Sequence, residues 1–377
     1  MTEPCEIIRR EIEERGSISF ARFMELSLYC PETGYYERLG NTPGARGDFY
    51  TNVSVGSLFG ELLAFQFANW IETGRIGQPR LFEAGAHDGR LALDILNWLS
   101  SHRPELFKET EYWIVEPSLR RQQSQREKLG RFEDKVRWFR SWESLPAMGV
   151  HGVMFSNELL DAMPVHRVGW NAREKCWFEW RVGLEEKRLV WRRSPVESGT
   201  GRGSPAICVP GTEAPLDMVR RRLNPQLLAV LPDGFTTEIC PAATHWWHQA
   251  ASALQQGHLL TIDYGFSGDE FFSPHRANGT LRAYHRHRPC NDVLANIGEQ
   301  DLTAHVNFSS LIEAGEAAGL RTERFCSQAE FLTEIAGTAW REKPGLGEWT
   351  SARVRQFQTL THPEHLGRSF KVLVQHR

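Results

Sequence analysis

A chain of 377 residues is long enough for two or three domains of about 150 residues, and therefore for a core that needs no disulfide or metal. Its hydrophobic fraction of 41% and charged fraction of 24% exclude a disordered chain. Its net charge of −3 excludes a protein that collects nucleic acid by a global positive field.

Location and redox chemistry are also constrained by the sequence. The apolar runs are far shorter than the ~20 residues that span a bilayer, and the acidic N-terminus lacks the apolar region of a signal peptide. The seven cysteines are irregularly spaced and form no Cys-x-x-Cys motif, which is typical of reduced thiols. We expect a cytoplasmic protein with no metal site and with neither nucleic acid nor membrane as a partner.

The first 75 residues are predicted to be mainly helical. Apolar periodicity indicates helices over residues 4–15 and from about Val55 to Glu72. Between them, Ser19 is expected to cap a helix that ends before Pro31. We interpret residues 1–75 as a helical cap and lid.

From residue 80 short buried strands and helices alternate, which predicts a parallel sheet with right-handed crossovers. Strands are expected at residues 81–83, 112–115, 136–139, 153–155, 259–262, 321–326 and 370–374. Pro241 to Gln256 is expected to be helical, and the capping-box pattern Ser310-x-x-Glu313 predicts the start of another helix.

Residues 166–235 interrupt this alternation. Two runs, Cys176 to Val182 and Arg188 to Trp191, predict a β-hairpin whose connecting segment holds Gly183 and charged residues. We therefore predict an α/β fold with a core from residues 76–165 and 236–377, and a β-rich lobe inserted at 166–235 on the substrate side.

The first candidate site follows the strand at residue 81. Glu83, Gly85 and Gly89 stand between this strand and a helix, where glycine allows a tight turn and a close approach to a ligand. Glu83 suits the cationic head of an amino acid and opposes a pyrophosphate, and the Gly-x-Gly-x-x-Gly order of dinucleotide sites is missing. An ordinary strand-to-helix turn is the alternative interpretation.

Further candidate segments follow the neighbouring strands. Glu116 is placed to accept the hydroxyls of a ribose, and the alternative is an exposed acid. Ser141 and Trp142 are placed to hold an adenine by stacking, and the alternative for Trp142 is a core aromatic. Asn157, Glu158 and Asp161 follow the fourth strand, where an open α/β sheet has its crevice. A helix start capped by these polar residues is the alternative there.

The order of nine motifs resembles that of the MidA-like proteins, a family of class I S-adenosylmethionine (SAM)-dependent methyltransferases. The motifs are Ile18–Met24, Pro31-x-x-Gly34-Tyr35-Tyr36, Gly47-Asp48-Phe49-x-Thr51, Leu58–Glu61, Glu83-x-Gly85-x-x-x-Gly89, Asn157-Glu158-x-x-Asp161-Ala162-x-Pro164, Ile262–Gly265, Gly279–Tyr284 and Asp301–Phe308. The mitochondrial member of the family is a complex I assembly factor that methylates an arginine of a partner subunit. In the glycine loop the family has a Pro and a middle Gly where this chain has Ala86 and His87.

The resemblance implies a Rossmann-like seven-stranded sheet and SAM as cofactor. It implies that Thr51 belongs to the cofactor site and that Asp48 lies on a lid over the cofactor. Asn157, Glu158 and Asp161 are expected to grip the guanidinium of an acceptor arginine. The predicted function is methylation of a protein arginine. A small-molecule acceptor, a non-catalytic SAM-binding assembly factor and an NAD-dependent oxidoreductase are the alternatives.

Overall fold

The computed structural model describes residues 3–38, 51–195, 219, 223, 225–286, 288–342 and 345–377. The chain divides into two compact units. The first unit comprises Met1–Asn41, Asp161–His245 and Phe266–Ser309, and the second comprises Thr42–Leu160, Trp246–Gly265 and Ser310–Arg377. These boundaries differ from the predicted ones, since residues 1–75 are shared between the units and part of 236–377 belongs to the first.

The α-helices of the described residues are α1 (Glu3–Arg15), α2 (Phe20–Tyr29), α3 (Leu58–Thr73), α4 (Arg90–His102), α5 (Pro104–Glu109), α6 (Leu119–Leu129), α7 (Pro225–Val230), α8 (Pro241–Ala253), α9 (Gly268–Phe271), α10 (Phe308–Ala317), α11 (Gln328–Arg341), α12 (Ser351–Thr361) and α13 (Leu366–Ser369). In this described part of the chain, no helix combines the length and the apolar composition of a membrane span.

The β-strands of the described residues are β1 (Ile18–Ser19), β2 (Arg80–Ala84), β3 (Glu111–Val115), β4 (Val136–Phe139), β5 (Val150–Asn157), β6 (His166–Asn171), β7 (Cys176–Glu185), β8 (Arg188–Pro195), β9 (Thr236–Ile239), β10 (Leu254–Phe266), β11 (Arg282–His285), β12 (Arg288–Pro289), β13 (Asp301–Thr303), β14 (Val306–Asn307), β15 (Arg321–Ser327) and β16 (Phe370–His376).

The second unit is built on a mixed sheet. Strands β4, β3, β2, β5 and β10 are parallel neighbours in that order, followed by β16, which is antiparallel to both β10 and β15. The predicted α/β fold is therefore confirmed. Among the described residues of the second unit, seven strands lie in the order β15-β16-β10-β5-β2-β3-β4.

Two helices of the second unit pack together and contribute a large share of its hydrophobic core. Helices α3 and α4 contact each other, and their buried side chains join those of the sheet in one cluster. Phe59 and Phe67 of α3, Ile95 of α4 and Phe155 of β5 are at most 1% exposed. This packing holds the strand ends from which the candidate site residues project.

The first unit contains an antiparallel sheet of five strands, ordered β1-β7-β6-β9 with β8 paired to β7. In the described part of residues 166–235, β6, β7 and β8 agree with the predicted β-rich character, and β1 and β9 come from outside that range. A second, three-stranded sheet joins β12, β11 and β13. Ile8 of α1 and Phe20 and Phe23 of α2 are fully buried in a cluster that includes Val182 of β7.

The predicted hairpin is confirmed as β7–β8, and its turn lies within the predicted connection of residues 183–187. Gly183 pairs with Val190 inside the ladder, and the turn is formed by Glu186 and Lys187 after the pair Glu185 and Arg188. Both turn residues have positive φ, 46° and 67°, as a two-residue hairpin turn of type I′ requires. Glu-Lys carries none of the Asn-Gly signal of such turns, so the sequence indicated the connection without showing how short its turn is.

The helix boundaries confirm some predictions and correct others. Ser19 accepts a hydrogen bond from Arg22 N (3.2 Å) and caps α2 as predicted. Helix α8 ends at Ala253, before the predicted Gln256, because the chain has already entered β10 at Leu254. Helix α10 begins at Phe308, so Ser310 lies inside its first turn and is not its cap.

Candidate active site

The loop between β2 and α4 has a left-handed backbone at three positions. Gly85 has φ +75°, His87 φ +46° and Gly89 φ +81°, and Gly89 is the N-cap of α4. A Cβ on Gly85 would lie 3.0 Å from Cδ1 of Leu159, so the loop closely approaches the residue two positions after β5. A loop of this kind lets a ligand approach the start of α4, where Arg90 N already donates to Asp88 Oδ1 (3.0 Å).

Glu83 is buried at the end of β2. Glu83 is only 2% exposed, and Tyr112 Oη donates a hydrogen bond of 2.6 Å to its Oε2. Burial raises the pKa of Glu83 to about 8, although the bond from Tyr112 acts in the opposite direction. The sequence indicates an acid suited to the cationic head of an amino acid, and the structure shows that protein encloses its carboxyl group.

Glu116 follows β3 and is held in one orientation by its neighbours. Its Oε1 accepts a hydrogen bond from Ser118 N (3.0 Å), and its Oε2 accepts one from Gln125 Nε2 (3.3 Å). The residue is 5% exposed, so the expectation of a solvated strand-end acid is wrong. The carboxylate is buried because α6 folds back over the end of β3, with Gln122 Nε2 donating to Glu116 O (2.7 Å).

Gln125 was not singled out by the sequence, yet it contacts both parts of the site just described. Besides Glu116, its Nε2 donates to His87 O (2.9 Å), and its Oε1 accepts from Trp138 Nε1 (3.0 Å). Helix α6 buries Gln122, Gln125 and Leu129, so its inner face is largely polar. Apolar periodicity does not identify a buried face that is largely polar. The helical spacing of these three residues is the one feature of the sequence that indicates this face.

The remaining predicted cofactor residues lie in short turns. Trp142 stacks on Phe82, with ring centroids 5.3 Å apart, and also contacts Trp246 at 5.7 Å. Ser141 N donates to Ser144 Oγ (3.2 Å) in the 3-10 turn after β4. Thr51 Oγ1 accepts from Ser54 N (3.2 Å) at the start of another 3-10 turn. Their contact with a cofactor stays a prediction, and Asp48 lies outside the described residues.

Asn157 and Glu158 form a hydrogen-bonded group with Asn52. Glu158 Oε1 accepts from Asn52 N and from Asn157 Nδ2, both at 3.0 Å, and Asn52 Nδ2 donates to Asn157 Oδ1 (3.2 Å). Glu158 has φ +52°, a strained backbone for a residue other than glycine. The chain turns here and starts no helix between residues 158 and 165, so the alternative of a helix start is excluded.

Two buried residues that the sequence did not assign to the site support this group. Gln328 Nε2 donates to Asn52 Oδ1 (2.8 Å) and to Leu360 O (3.0 Å). Asp263, which is fully buried, accepts hydrogen bonds from the backbone N–H groups of Leu159 (3.2 Å) and Leu160 (2.8 Å). The end of β10 therefore holds the loop that carries Glu158 in place.

Asp161 belongs to the first unit, whereas Asn157 and Glu158 belong to the second. It is 6% exposed, and its carbonyl oxygen accepts from Ala304 N (2.9 Å). In the same unit Tyr36 Oη donates to Asp301 Oδ1 (2.8 Å). Burial raises the pKa of Tyr36, and the charges of Asp301 and Asp161 raise it further. Three of the motifs noted above therefore meet in the first unit.

The cradle in the second unit fits SAM. The loop of left-handed residues gives access to the start of α4, and Glu116 is an oriented carboxylate of the kind that accepts ribose hydroxyls. A parallel sheet with these features after two adjacent strands is typical of enzymes that bind a nucleoside cofactor, the SAM-dependent methyltransferases among them. More specifically, the chain belongs to the family described as "Putative S-adenosyl-L-methionine-dependent methyltransferase", whose model matches residues 62–326.

Solved structures agree with this assignment. A superfamily member from Burkholderia thailandensis, bound to S-adenosyl-homocysteine (SAH), is 30% identical with a TM-score of 0.79; the match covers 99% of this chain and 92% of that one. A native structure from the same organism is 31% identical, with the same TM-score and coverage of 99% and 91%. The predicted enzyme class and the predicted cofactor are confirmed.

Two curated relatives have names that specify an acceptor. "Protein arginine methyltransferase NDUFAF7 homolog, mitochondrial" from Drosophila melanogaster is 25% identical, over 97% of this chain and 83% of that protein. "Protein arginine methyltransferase NDUFAF7, mitochondrial" from Mus musculus is 28% identical, over 82% of this chain and 69% of that protein. The cytoplasmic location expected from this sequence stays a prediction.

Proposed function

We propose that this methyltransferase acts on an arginine side chain of a partner protein. The names of the curated relatives support an arginine acceptor. The observation that carries the proposal is the fixed Glu158 carboxylate after β5, on a strained backbone and held by Asn52 and Asn157. Strain of this kind persists where the surrounding structure enforces it, and it clusters at functional sites.

The reaction needs an oriented nucleophile more than it needs an acid or base of unusual strength. SAM supplies a methyl group on a positively charged sulfur. Transfer would break the bond from that sulfur to the methyl carbon and form one to a guanidino nitrogen, whose proton would pass to water, and SAH would be the leaving group. Because the guanidinium is planar and stays protonated at neutral pH, planar oxygen acceptors are suited to hold it in line.

In this proposal Glu158 pairs with the guanidinium, and Asn157 offers a further oxygen acceptor. A role of Asp161 in acceptor binding stays a prediction. Glu116 accepts the ribose hydroxyls, and Gly85 with Gly89 shapes the loop beside the amino-acid part of the cofactor. Trp142, Ser141 and Thr51 are assigned to the adenine and the rim of the site. Asp48 retains its proposed place on a lid.

Glu158→Gln tests the acceptor site. The glutamine oxygen can still accept hydrogen bonds from Asn52 N and Asn157 Nδ2, while the charge and the second acceptor oxygen are lost. We expect methyl transfer from labelled SAM into a cell extract to fall about hundredfold, as the loss of a charged hydrogen bond of roughly 2–3 kcal/mol implies. SAH affinity and the melting temperature should stay at the wild-type values.

Glu109→Gln is the matched control, because Glu109 is an exposed acid at the end of α5. It should transfer methyl groups at the wild-type rate. A fully active Glu158→Gln enzyme contradicts the proposed role of Glu158. Label that enters a small metabolite and no protein identifies a small-molecule acceptor, and a wild-type chain that binds SAH without transfer to any acceptor identifies an assembly factor.

A further inference from the structure

We propose that Gln125 is a positioning residue for the cofactor, which couples the glycine loop to the acid that accepts the ribose. This inference rests on the assignment of Glu116 and of residues 85–89 to the SAM site. It concerns binding of the cofactor and is independent of which acceptor is methylated.

The amide of Gln125 matches its three partners in hydrogen-bonding character. His87 O and the Glu116 carboxylate are acceptors, and each faces the Nε2 group, at 2.9 and 3.3 Å. Trp138 Nε1 is a donor and faces Oε1 at 3.0 Å. A primary amide supplies two N–H donors and one carbonyl acceptor, so each contact has the correct polarity. Gln125 is fully buried, and a change in any of these contacts leaves a polar group unsatisfied.

The same side chain also contacts the loop by packing. Cγ of Gln125 lies 3.5 Å from the position that a Cβ on Gly89 would occupy. Gln125 therefore touches the loop at Gly89 and hydrogen-bonds it at His87, the residue whose φ of +46° is unusual outside glycine. Because position 87 holds a histidine and not a glycine, its left-handed backbone is unfavourable by itself. The hydrogen bond from Gln125 to His87 O supports that conformation.

One side chain thus holds two ligand-binding groups that follow different strands, β2 and β3. Its displacement is expected to move the Glu116 carboxylate and the loop together. A residue that only filled the core would affect the free energy of unfolding and leave the affinity for cofactor unchanged.

Gln125→Glu tests the coupling with little change of shape. The new carboxylate faces Glu116, and two carboxylates at about this distance share a proton. At pH 5.5 a shared proton can restore the hydrogen bond between residues 125 and 116, although the bond to His87 O stays lost. At higher pH, loss of that proton leaves two carboxylates that repel each other. We expect the ratio of variant to wild-type Kd for SAH, measured by calorimetry, to be above one at pH 5.5 and to rise further, to about tenfold or more, at pH 8.5.

Other charged groups near the loop cancel in this ratio. Asp88 is paired with Lys128, and burial lowers the pKa of His87 to about 4, with Arg121 acting in the same direction. Glu83, with a pKa of about 8, titrates within the range and is present in both proteins. Gln123→Glu on the same helix is the matched control, since exposed Gln123 donates to Glu127 Oε1 (3.1 Å). The ratio of the Gln123→Glu Kd for SAH to the wild-type Kd should stay near one at every pH.

Gln125→Met is the second variant, because it keeps the length of the side chain and removes all three hydrogen bonds. It should weaken SAH binding about tenfold at both pH values. Wild-type SAH affinity in Gln125→Met, or a Gln125→Glu ratio that does not change with pH, overturns the proposal. If the wild-type protein binds SAH but methylates no protein, the proposed function is contradicted. The role of Gln125 is then still decided by the ratios of variant to wild-type Kd for SAH.

Discussion

Glu83 illustrates what burial does to a single carboxyl group. Its pKa is raised to about 8 in the folded protein, whereas a glutamate in an unfolded chain has a pKa near 4.3. Between these values the native state binds more protons than the unfolded state. Its contribution to stability is therefore complete below about pH 4 and is lost as the pH rises through about 8.

We predict that Glu83→Gln removes this dependence. For the wild type, the free energy of unfolding should fall by up to about 1.4 kcal/mol per pH unit between pH 5 and 8, in addition to contributions from other groups. Glutamine still accepts the hydrogen bond of Tyr112 Oη but does not titrate. Urea unfolding of both proteins at pH 5, 6.5 and 8 measures the difference. Parallel curves would mean that Glu83 is ionised in the folded protein.

Several site residues identified from the sequence are in the expected segments but differ in environment from the expectation. Glu116 follows its strand as predicted, yet it is enclosed and already accepts two hydrogen bonds. The sequence indicates an acid after a strand, but it does not show that α6 covers it. Asn52 was missed because a lone asparagine near a turn has no pattern that distinguishes it from a surface residue.

At the scale of elements, the connection from β2 to α4 depends on the absence of a side chain at Gly85. Its φ is +75°, and an added Cβ would lie 3.0 and 3.2 Å from two carbons of Leu159. Gly77, also in the second unit, has an exposed position with no atom within 4 Å of an added Cβ. The two glycines therefore offer a matched pair of substitutions.

We predict that Gly85→Ala lowers the free energy of unfolding by about 1–2 kcal/mol, the usual penalty for a left-handed alanine. It should also weaken SAH binding, because relief of the contact with Leu159 displaces the loop. Gly77→Ala should change neither quantity by more than about 0.5 kcal/mol. Denaturant titrations and calorimetry provide the measurements. Normal SAH affinity in Gly85→Ala would show that the loop does not contact the cofactor.

The elements themselves were largely predictable. Buried strands at residues 81–83, 112–115 and 136–139 were recognised because each is a short apolar run between helical segments. The hairpin turn is located by the sequence only to the segment between its two strands, because type I′ geometry is adopted by Glu186 and Lys187, which have no intrinsic preference for it. Local patterns therefore located strands more accurately than they located turns.

For the whole molecule, the described cofactor candidates all lie in the second unit. We predict that SAH at 100 times its Kd stabilises the protein by about 2.7 kcal/mol and raises the melting temperature, whereas NAD has no effect. Hydrogen exchange should slow in the segment from β2 to the start of α4 and in α6. The β7–β8 hairpin of the first unit should exchange at its original rate. Protection by NAD, or none by SAH in α6, would contradict this location of the site.

The sequence by itself determined the α/β class, the order of the strands along the chain and the motifs that carry the family resemblance. Each of these depends on residues that are close together in the sequence, through apolar periodicity, turn residues or a short motif. Only the tertiary structure decided which polar atoms meet. Parallel pairing of Leu81 with Tyr112 places the Tyr112 hydroxyl beside Glu83, and a shift of one residue would turn that side chain to the opposite face of the sheet. Strand register and helix packing join residues that are distant in sequence, and so the environment of Glu83, Glu116 and Glu158 follows from the fold.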